Sequence, residues 1–517
     1  MGYTENCSAT FLNSGNPCVD LFFHVVPNTP ASYFNTQLPL AWAHNDLTTF
    51  KLICNLRGVR GTGKSNKEGF YTAAFWLHKH HPKTLACNVA SLAEFGYFKD
   101  LPEILYRLLE GEDVRKTQKA EWLMRKSGAG KSSRMAALNP MSVRHGGVAK
   151  PPYRRGSKGA RESSNWLTVE QSKGARVKRA LERTQSEKEK RVSDLFAECL
   201  KSDIENFKVN QYKRINLAAK CPIFDSSFDK DTLLCESIGK KVFPRELYPE
   251  YEGVEEVHYA YRVRDRPRKD VLVPLRKLLE LPEVYIGDNQ WGAIPYNRVA
   301  SVAMKFYREK FLKHDQKRFM KYLEDVKAGK STIAADGRQV AELQWKRMVD
   351  DLLKQGKMKN CLAVCDVSGS MNGTPMEVSV ALGLLVSELS DEPWKWKVIT
   401  FSQNPQLHFT HGSDLRSKLK PEQMIRRIFV FSDMEFDQAS SKGGYGNAVP
   451  QIVFRNLRHS MSTPVTITHP GVALLSGFSK NLMKLFLDNE FARTLSWKQP
   501  SLGKNIRSWL CWIDQLI

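Results

Sequence analysis

The sequence predicts a mixed fold class, α plus α/β, with an N-terminal α-helical repeat body and a C-terminal doubly wound α/β domain. Three observations predict it. Apolar residues recur at helical spacing through 12–110 and again through 195–345. From residue 357 the texture changes to short apolar runs alternating with a helical pattern, as in a mostly parallel sheet. Between the two helical stretches lies a basic segment with almost no apolar periodicity. At 517 residues the chain is about three times the length of a typical domain, which leaves room for both parts.

In 12–110, Leu47, Phe50, Ile53 and Cys54 share one helix face, and Phe70, Ala73, Ala74 and Leu77 a second. Leu85, Val89 and Leu92 form a third, and Leu101, Ile104, Leu105 and Leu108 a fourth. Pro82, Gly96 and Pro102 mark brief connections, so stacked helical pairs of the α-solenoid type are expected, with no fixed period in the letters. Residues 111–194 then carry Gly128-Ala129-Gly130, Gly146-Gly147, Pro151-Pro152 and the cluster Arg154-Arg155-Gly156-Ser157-Lys158. This insertion has too little apolar surface to fold alone, and a charged helix is expected from about Val177 into Leu195 and Phe196. The helical body resumes over 195–345, with one stripe at Leu272, Leu275, Leu278 and Leu279 and another at Val299, Val302, Ala303 and Phe306 toward Phe311. The α/β domain spans 357–490, followed by a tail, 491–517. Its strands are Cys361–Cys365, Lys397–Phe401, Ile428–Phe431, Gln451–Leu457 and Val472–Leu475, with a helix over Met376–Leu389. Ligands of such sheets bind at the carboxyl ends of the strands.

The composition, 42% hydrophobic and 26% charged, is that of a soluble globular chain, and no apolar run approaches the roughly 20 residues that cross a bilayer. No membrane partner is expected. The N-terminus lacks the basic start and apolar stretch of a secretory signal, and Asn6 stands where myristoylation requires Ser or Thr. A cytoplasmic or nuclear location is expected. Of ten cysteines the one close pair, Cys361 and Cys365, lies inside an apolar strand, so neither a zinc knuckle nor a disulfide framework is expected.

The net charge of +23 is concentrated, since residues 115–191 hold 21 Lys and Arg against 6 Glu, a surplus of 15. That balance favours a polyanionic partner, RNA above membrane because no apolar helix face accompanies it; the alternative is a solvated linker. Arg154, Arg155 and Lys158 are the candidate phosphate contacts there. Residues Tyr259 to Arg266 interleave aromatics with Arg262, Arg264 and Arg266, a second candidate RNA surface. The rival reading is that these arginines snorkel around buried tyrosines.

At the end of the strand Cys361–Cys365 stands Asp366-Val367-Ser368-Gly369-Ser370, with Thr374 just beyond. A carboxylate and two hydroxyls around a glycine turn are hard oxygen donors suited to Mg²⁺ or Mn²⁺. A second strand end, Phe431-Ser432-Asp433, would lie beside it in a parallel sheet and supply a further oxygen. The rival reading is that Asp366 and Ser368 cap the helix that follows.

This pattern resembles the von Willebrand factor A domain, whose metal-ion-dependent adhesion site has the form D-x-S-x-S plus a Thr and an Asp from two later loops. Asp366, Ser368, Ser370 and Asp433 match. The resemblance implies a metal whose shell is completed by an acidic side chain of a protein partner, and hence binding without catalysis. The chain departs from the family at the Thr loop. Only 27 residues, 402–428, separate the two strands, and Thr410, the sole Thr among them, is not followed by an apolar helix, so the Thr role is not carried over. The connection after Asp433 is short as well. With helical pairs ahead of it, the whole chain resembles the Ro (TROVE) architecture, a helical-repeat ring that binds small or misfolded RNA and is closed by a von Willebrand A-like domain. More closely, it resembles a plant family of Ro-like proteins, a domain-of-unknown-function family, through Asn360–Met371 (NCLAVCDVSGSM), Phe429–Phe436 (FVFSDMEF) and Asn55–Lys64 (NLRGVRGTGK). The resemblance implies a TROVE- or HEAT-like helical body and a Rossmann-like α/β domain, shortened near 332–341, in the Thr loop and after Asp437. RNA binding is implied by the wider Ro relationship.

Gly58-Val59-Arg60-Gly61-Thr62-Gly63-Lys64-Ser65 also satisfies G-x-x-x-x-G-K-[ST], the loop that cradles nucleotide phosphates. A phosphate loop needs a buried strand before it, whereas Phe50, Ile53 and Cys54 space as a helix. Gly128-Ala129-Gly130-Lys131-Ser132 has Arg125 where the first Gly should stand. There is no G-x-S-x-G and no H-E-x-x-H, and His78, His80 and His81 fall at a helix end before Pro82. The expected function is a non-enzymatic scaffold that binds RNA and protein, with a metal-dependent site; the alternatives are a protein-interaction module without RNA binding and, behind it, a P-loop NTPase.

Overall fold

The computed structural model describes residues 2–4, 7, 9–58, 63–126, 187–221, 234–299, 301–327, 337–401, 405–410, 425–436, 450–466, 469 and 471–487. In chain order its helices are α1 (Pro17–His24), α2 (Ala31–His44), α3 (Asp46–Arg57), α4 (Lys67–His80), α5 (Pro82–Cys87), α6 (Val89–Phe95), α7 (Asp100–Glu110), α8 (Val114–Lys126) and α9 (Glu187–Lys208). They continue with α10 (Leu234–Val242), α11 (Glu256–Pro267), α12 (Val273–Leu278), α13 (Pro282–Gly287), α14 (Ser301–His314), α15 (Gln316–Lys327), α16 (Gly337–Leu353) and α17 (Thr374–Leu389). The strands are β1 (Gly2–Tyr3), β2 (Ala9–Thr10), β3 (Cys361–Asp366), β4 (Lys397–Phe401), β5 (Gln406–Phe409), β6 (Arg427–Ser432), β7 (Gln451–Asn456) and β8 (Val472–Ser476). No described helix is long and apolar enough to cross a membrane.

Among the described residues the chain divides into two compact units. One takes Met1–Leu85, Glu94–Tyr97 and the chain from Glu280 onward, and the other takes Ala86–Ala93 and Phe98–Leu279. The sequence reading joined 12–110 to 195–345 in one helical body and set 357–490 apart. Helix α1, from the first of these stretches, lies against β8 of the sheet, which periodicity alone does not reveal.

The sheet of the first unit has the order β5-β4-β3-β6-β7-β8. Every neighbouring pair is parallel except β4 with β5. β3 is an unbroken apolar run because it lies in the middle, flanked by β4 and β6, and parallel strands are covered on both faces. Helix α17 is the crossover from β3 to β4, and it lies so close to β3 that a Cβ on Gly383 would stand 2.0 Å from Cys365 Sγ. Edge strand β5 is exposed along most of its length, and its polar-apolar alternation over four residues was too short to announce it.

Helix α1 begins with Pro17 at its first position, a side-chain cap from Asn16 to the Cys18 and Val19 amides, and Asp20 in its first turn. Its Phe23 is fully buried against Met434 and Leu474, with Val19, Phe436, Phe454 and Val472 around them. Hydrogen bonds repeat the attachment. Phe11 and Thr463 exchange backbone bonds at 3.1 and 2.9 Å, Asn456 Nδ2 donates to Phe23 O at 3.2 Å, and Ser476 Oγ donates to Phe22 O at 2.6 Å. The segment 357–490 is thus completed by residues from the other end of the chain.

A second core in this unit gathers Ile294, Tyr296, Met304, Phe311, Phe319 and Leu323 from α14, α15 and the turns before them. The expected stripe through Phe306 is displaced. Phe306 is 76% exposed, and the buried face of α14 runs through Met304 and Phe311, one heptad apart. Leu47, expected on the buried face of α3, is likewise exposed, whereas Ile53 and Cys54 are buried.

In the second unit α9 lies against α7 and α10, and α10 against α11. The last pair approaches so closely that a Cβ on Gly239 would stand 2.5 Å from Val263 O. After Pro267, which cannot donate a backbone bond, the helix passes through a π-turn, Arg268–Leu272, into α12, burying Leu272 and Leu275. Glu103 and Arg107 on α7 form a buried ion pair at 2.9 Å that Arg115 joins at 2.7 Å. The start of the charged helix near Val177, the tail and most of the basic insertion lie outside the described residues.

Candidate functional site

The apolar run of β3 ends at Asp366, and the register sets Cys365 opposite Phe431 on β6 and Asp366 opposite Phe401 on β4. The carboxyl ends of β3 and β6 therefore lie side by side, at the point where chain order reverses across the sheet. That is where open α/β sheets bind ligands. The turn after β3 places the hydroxyls. Asp366 Oδ1 accepts from Ser368 N at 2.9 Å and from Ser368 Oγ at 2.6 Å, and Ser368 Oγ stands 3.0 Å from Ser370 Oγ. The rival helix-capping role is not what these side chains do, because α17 starts after Gly373 without a side-chain cap.

From β6, Ser432 Oγ donates to Asp366 Oδ2 at 2.6 Å and lies 3.5 Å from Asp433 Oδ1. Asp433 Oδ1 also accepts the Glu435 amide at 3.2 Å. The four residues expected to hold a metal are thus brought to one place, with Asp366 and Asp433 both buried. Ser432 bridges the two carboxylates; it stood inside the second strand-end motif, and its role as the hinge between the two acids was not read from the sequence. Nothing in the letters pointed to Arg458, whose Nη1 is 3.5 Å from Asp433 Oδ2.

Asp433 Oδ2 is buried and receives no hydrogen bond from the described residues. Among the described residues, two buried carboxylates facing one half-exposed guanidinium leave an excess negative charge, which is costly unless a cation or further donors compensate it. Carboxylate and hydroxyl oxygens are the donor chemistry of Mg²⁺ and Mn²⁺, so the residues present fit such an ion. No group of three or more His, Cys, Asp or Glu able to hold a metal occurs among the described residues, and this donor set is of a different make-up. Thr410 takes no part. Its amide and hydroxyl both donate to Trp396 O, at 2.9 and 3.1 Å, closing the β4–β5 hairpin.

The phosphate-loop letters have a structural explanation. Lys64 is 2% exposed, and its Nζ donates to the Phe22 carbonyl, to Val25 O at 2.9 Å and to Ser476 Oγ at 2.7 Å. Burial, with Arg455 nearby, pushes its pKa well below the usual lysine value. The glycines serve a close approach of backbone to backbone, since a Cβ on Gly63 would lie 2.2 Å from Gly58 O. Lys64 N donates to Asn55 O and Ser65 Oγ to Gly58 O, so the turn is closed on its own helix and the ammonium is turned inward.

Arg266 is committed as well. It pairs with Glu250 at 2.6 Å and Asp270 at 3.0 Å, and its guanidinium lies 4.4 Å from the ring centres of both Phe243 and Tyr248. Tyr259 is buried and donates to Phe243 O at 2.9 Å, as the snorkelling alternative requires. Arg262 is exposed and Arg264 half-buried on the same helix, where residues two apart do not share a face. Arg154, Arg155 and Lys158 lie outside the described residues. At the end of α4, His80 stacks on Trp76 and His81 on Trp42, with centroids 5.1 and 4.1 Å apart.

An uncharacterized protein, L728, of Acanthamoeba polyphaga mimivirus is 23% identical to this chain over 570 aligned positions, which cover 95% of the chain and 85% of that protein. No solved structure matches. A family model described as a domain of unknown function (DUF7788) matches residues 360–419 and 413–501, the part that carries the sheet. A second, also described as a domain of unknown function (DUF2828), matches residues 4–337, well over half of the chain. The chain therefore belongs to the DUF2828 family.

Proposed function

We propose that the protein is a non-enzymatic binding scaffold whose sheet carries a metal-dependent adhesion site of the von Willebrand A type. The observation that carries this reading is the meeting of Asp366, Ser368, Ser370 and Asp433 around Ser432, with one buried carboxylate oxygen of Asp433 lacking a hydrogen-bond donor among the described residues. The strand order supports it too, being the doubly wound order 3-2-1-4-5-6 when counted from β3, with its outermost strand antiparallel. Mg²⁺ or Mn²⁺ held there would present an open coordination position to an acidic side chain of a protein partner. Asp366 and Asp433 supply charge, and the serine hydroxyls supply neutral donors oriented by the Asp366 carboxylate.

RNA is the second proposed partner. Its support is the surplus of 15 positive charges in residues 115–191 and the likeness to Ro-like proteins. Arg266 drops out of the proposed contacts because its charge is already matched by Glu250 and Asp270. The metal half is tested by calorimetric titration of the full chain with Mg²⁺ and Mn²⁺, beside Asp366→Ala. Millimolar or tighter binding lost in the variant supports the reading, and no heat from the folded protein overturns it. The RNA half is tested by gel shift with a structured RNA. Affinity should fall steeply with salt and vanish when 127–186 are deleted, whereas no shift with the intact chain would leave a protein-interaction module.

A further inference from the structure

A cavity of about 330 Å³ opens beside the N-terminal end of α1, within the size range of small-ligand sites. Its floor is buried and polar, formed by Asn16, Asp20, His24 and Tyr33, each at most 7% exposed. Its rim is apolar and open, with Leu12, Leu40 and Met461 all more than half exposed. Three of the floor residues have their hydrogen bonds committed. Asn16 Oδ1 caps α1 and its amide meets His44 Nε2 at 3.0 Å. His24 Nδ1 lies 2.7 Å from the Tyr33 hydroxyl and its Nε2 2.9 Å from Thr463 Oγ1. Burial holds the His24 pKa down at about 4, so the ring is neutral at pH 7.

Asp20 differs from its neighbours. Its carboxylate accepts the Ser14 amide at 2.7 Å and is hydrogen-bonded by the Ser14 side chain as well, yet no lysine or arginine is paired with it among the described residues. In a chain with 78 Lys and Arg against 55 Asp and Glu, a buried carboxylate without a counter-ion is a poor structural element. It is a good receptor for a cation, which would recover the cost of burying the charge. We propose that this pocket binds an aliphatic cation, an alkylammonium or alkylguanidinium whose stem lies along Leu12, Leu40 and Met461 and whose head reaches Asp20. The chemistry is shared by a free amine and by a lysine or arginine side chain of a partner. Anions are excluded by Asp20, and a neutral alcohol of the same length lacks the charge pairing.

The test is equilibrium binding of four probes to the full chain, followed by calorimetry or ligand-observed NMR: n-pentylamine, N-acetyl-lysine amide, n-pentanol and pentanoate. One or both cations should bind saturably and at least about tenfold tighter than pentanol, with pentanoate not binding. Tighter binding of the lysine amide would assign the site to a partner's side chain, and tighter binding of pentylamine to a free amine. Asp20→Asn should remove the preference for the cation and leave the weak alcohol binding. Leu40→Arg, on the exposed rim and outside the core, should block the pocket with its own guanidinium and abolish binding even if the Asp20 variant fails to fold. Equal binding of amine and alcohol, an unchanged preference in Asp20→Asn, or no saturable binding of either cation would overturn the proposal.

Discussion

Single residues in this protein take their roles from burial, and His24 is the clearest case. Its imidazole is 2% exposed between the Tyr33 and Thr463 hydroxyls. Burial first, then the charges of His459 and Lys64, lowers its pKa from 6.5 to about 4. The folded state therefore holds fewer protons than the unfolded state between those values, so this contribution is fully present above pH 6.5 and is lost as the pH falls toward 4. The loss should amount to about 3 kcal/mol. Urea unfolding of wild type and His24→Gln across pH 4–7 should show a steeper loss in wild type; parallel curves would remove His24 as the cause. Lys64 makes a similar argument from the opposite side of the molecule's apparent motif. Lys64→Met should lower stability by about 2–4 kcal/mol, because two backbone carbonyls and Ser476 lose a buried donor. Chemical denaturation measures that loss, and an unchanged midpoint together with lost nucleotide binding would restore the phosphate-loop reading.

At the scale of elements, the sheet shows how far local patterning reaches. The runs Cys361–Cys365, Lys397–Phe401, Ile428–Phe431, Gln451–Leu457 and Val472–Leu475 announced five strands, since buried parallel strands are largely apolar blocks bounded by turns. Strand β5, four residues at an open edge, carried no such block. The helix over Met376–Leu389 was legible for the same reason as the strands. That Gly383 touches Cys365 was not, because close approach between two elements leaves no trace in either one's periodicity. Gly383→Ala should destabilise the protein by about 1–3 kcal/mol through overpacking, despite the better helix propensity of alanine. Cys365→Ala in the same chain should recover part of the loss by removing the sulfur. Thermal melts of the two single variants and the double variant test this, and strict additivity would show that the contact carries no strain.

At the scale of the whole molecule, the sequence led to the carboxylates and hydroxyls of the site and did not show which distant segments pack around them. Asp366, Ser368, Ser370 and Asp433 were legible because strand-end chemistry is local: the residues follow buried strands, and a parallel sheet brings strand ends together. The partnership of Phe11, Phe23 and Lys64 with the sheet end of the chain was not legible, since they meet Thr463, Leu474 and Ser476 across more than 400 positions of chain. The same long-range closure built the pocket around Asp20, with Met461 from one end of the chain and Leu12 and Leu40 from the other. It also means that the sheet should be studied in the full chain, because a fragment starting near residue 350 would lose α1 from its face. The most direct test of the central claim is the electron spin resonance of Mn²⁺ titrated with the full-length protein. The account predicts that wild type removes the free-ion signal to a one-to-one end point, and that folded Asp366→Ala and Asp433→Asn leave it standing. A wild-type protein that does not diminish the signal, or variants that diminish it equally, would contradict it.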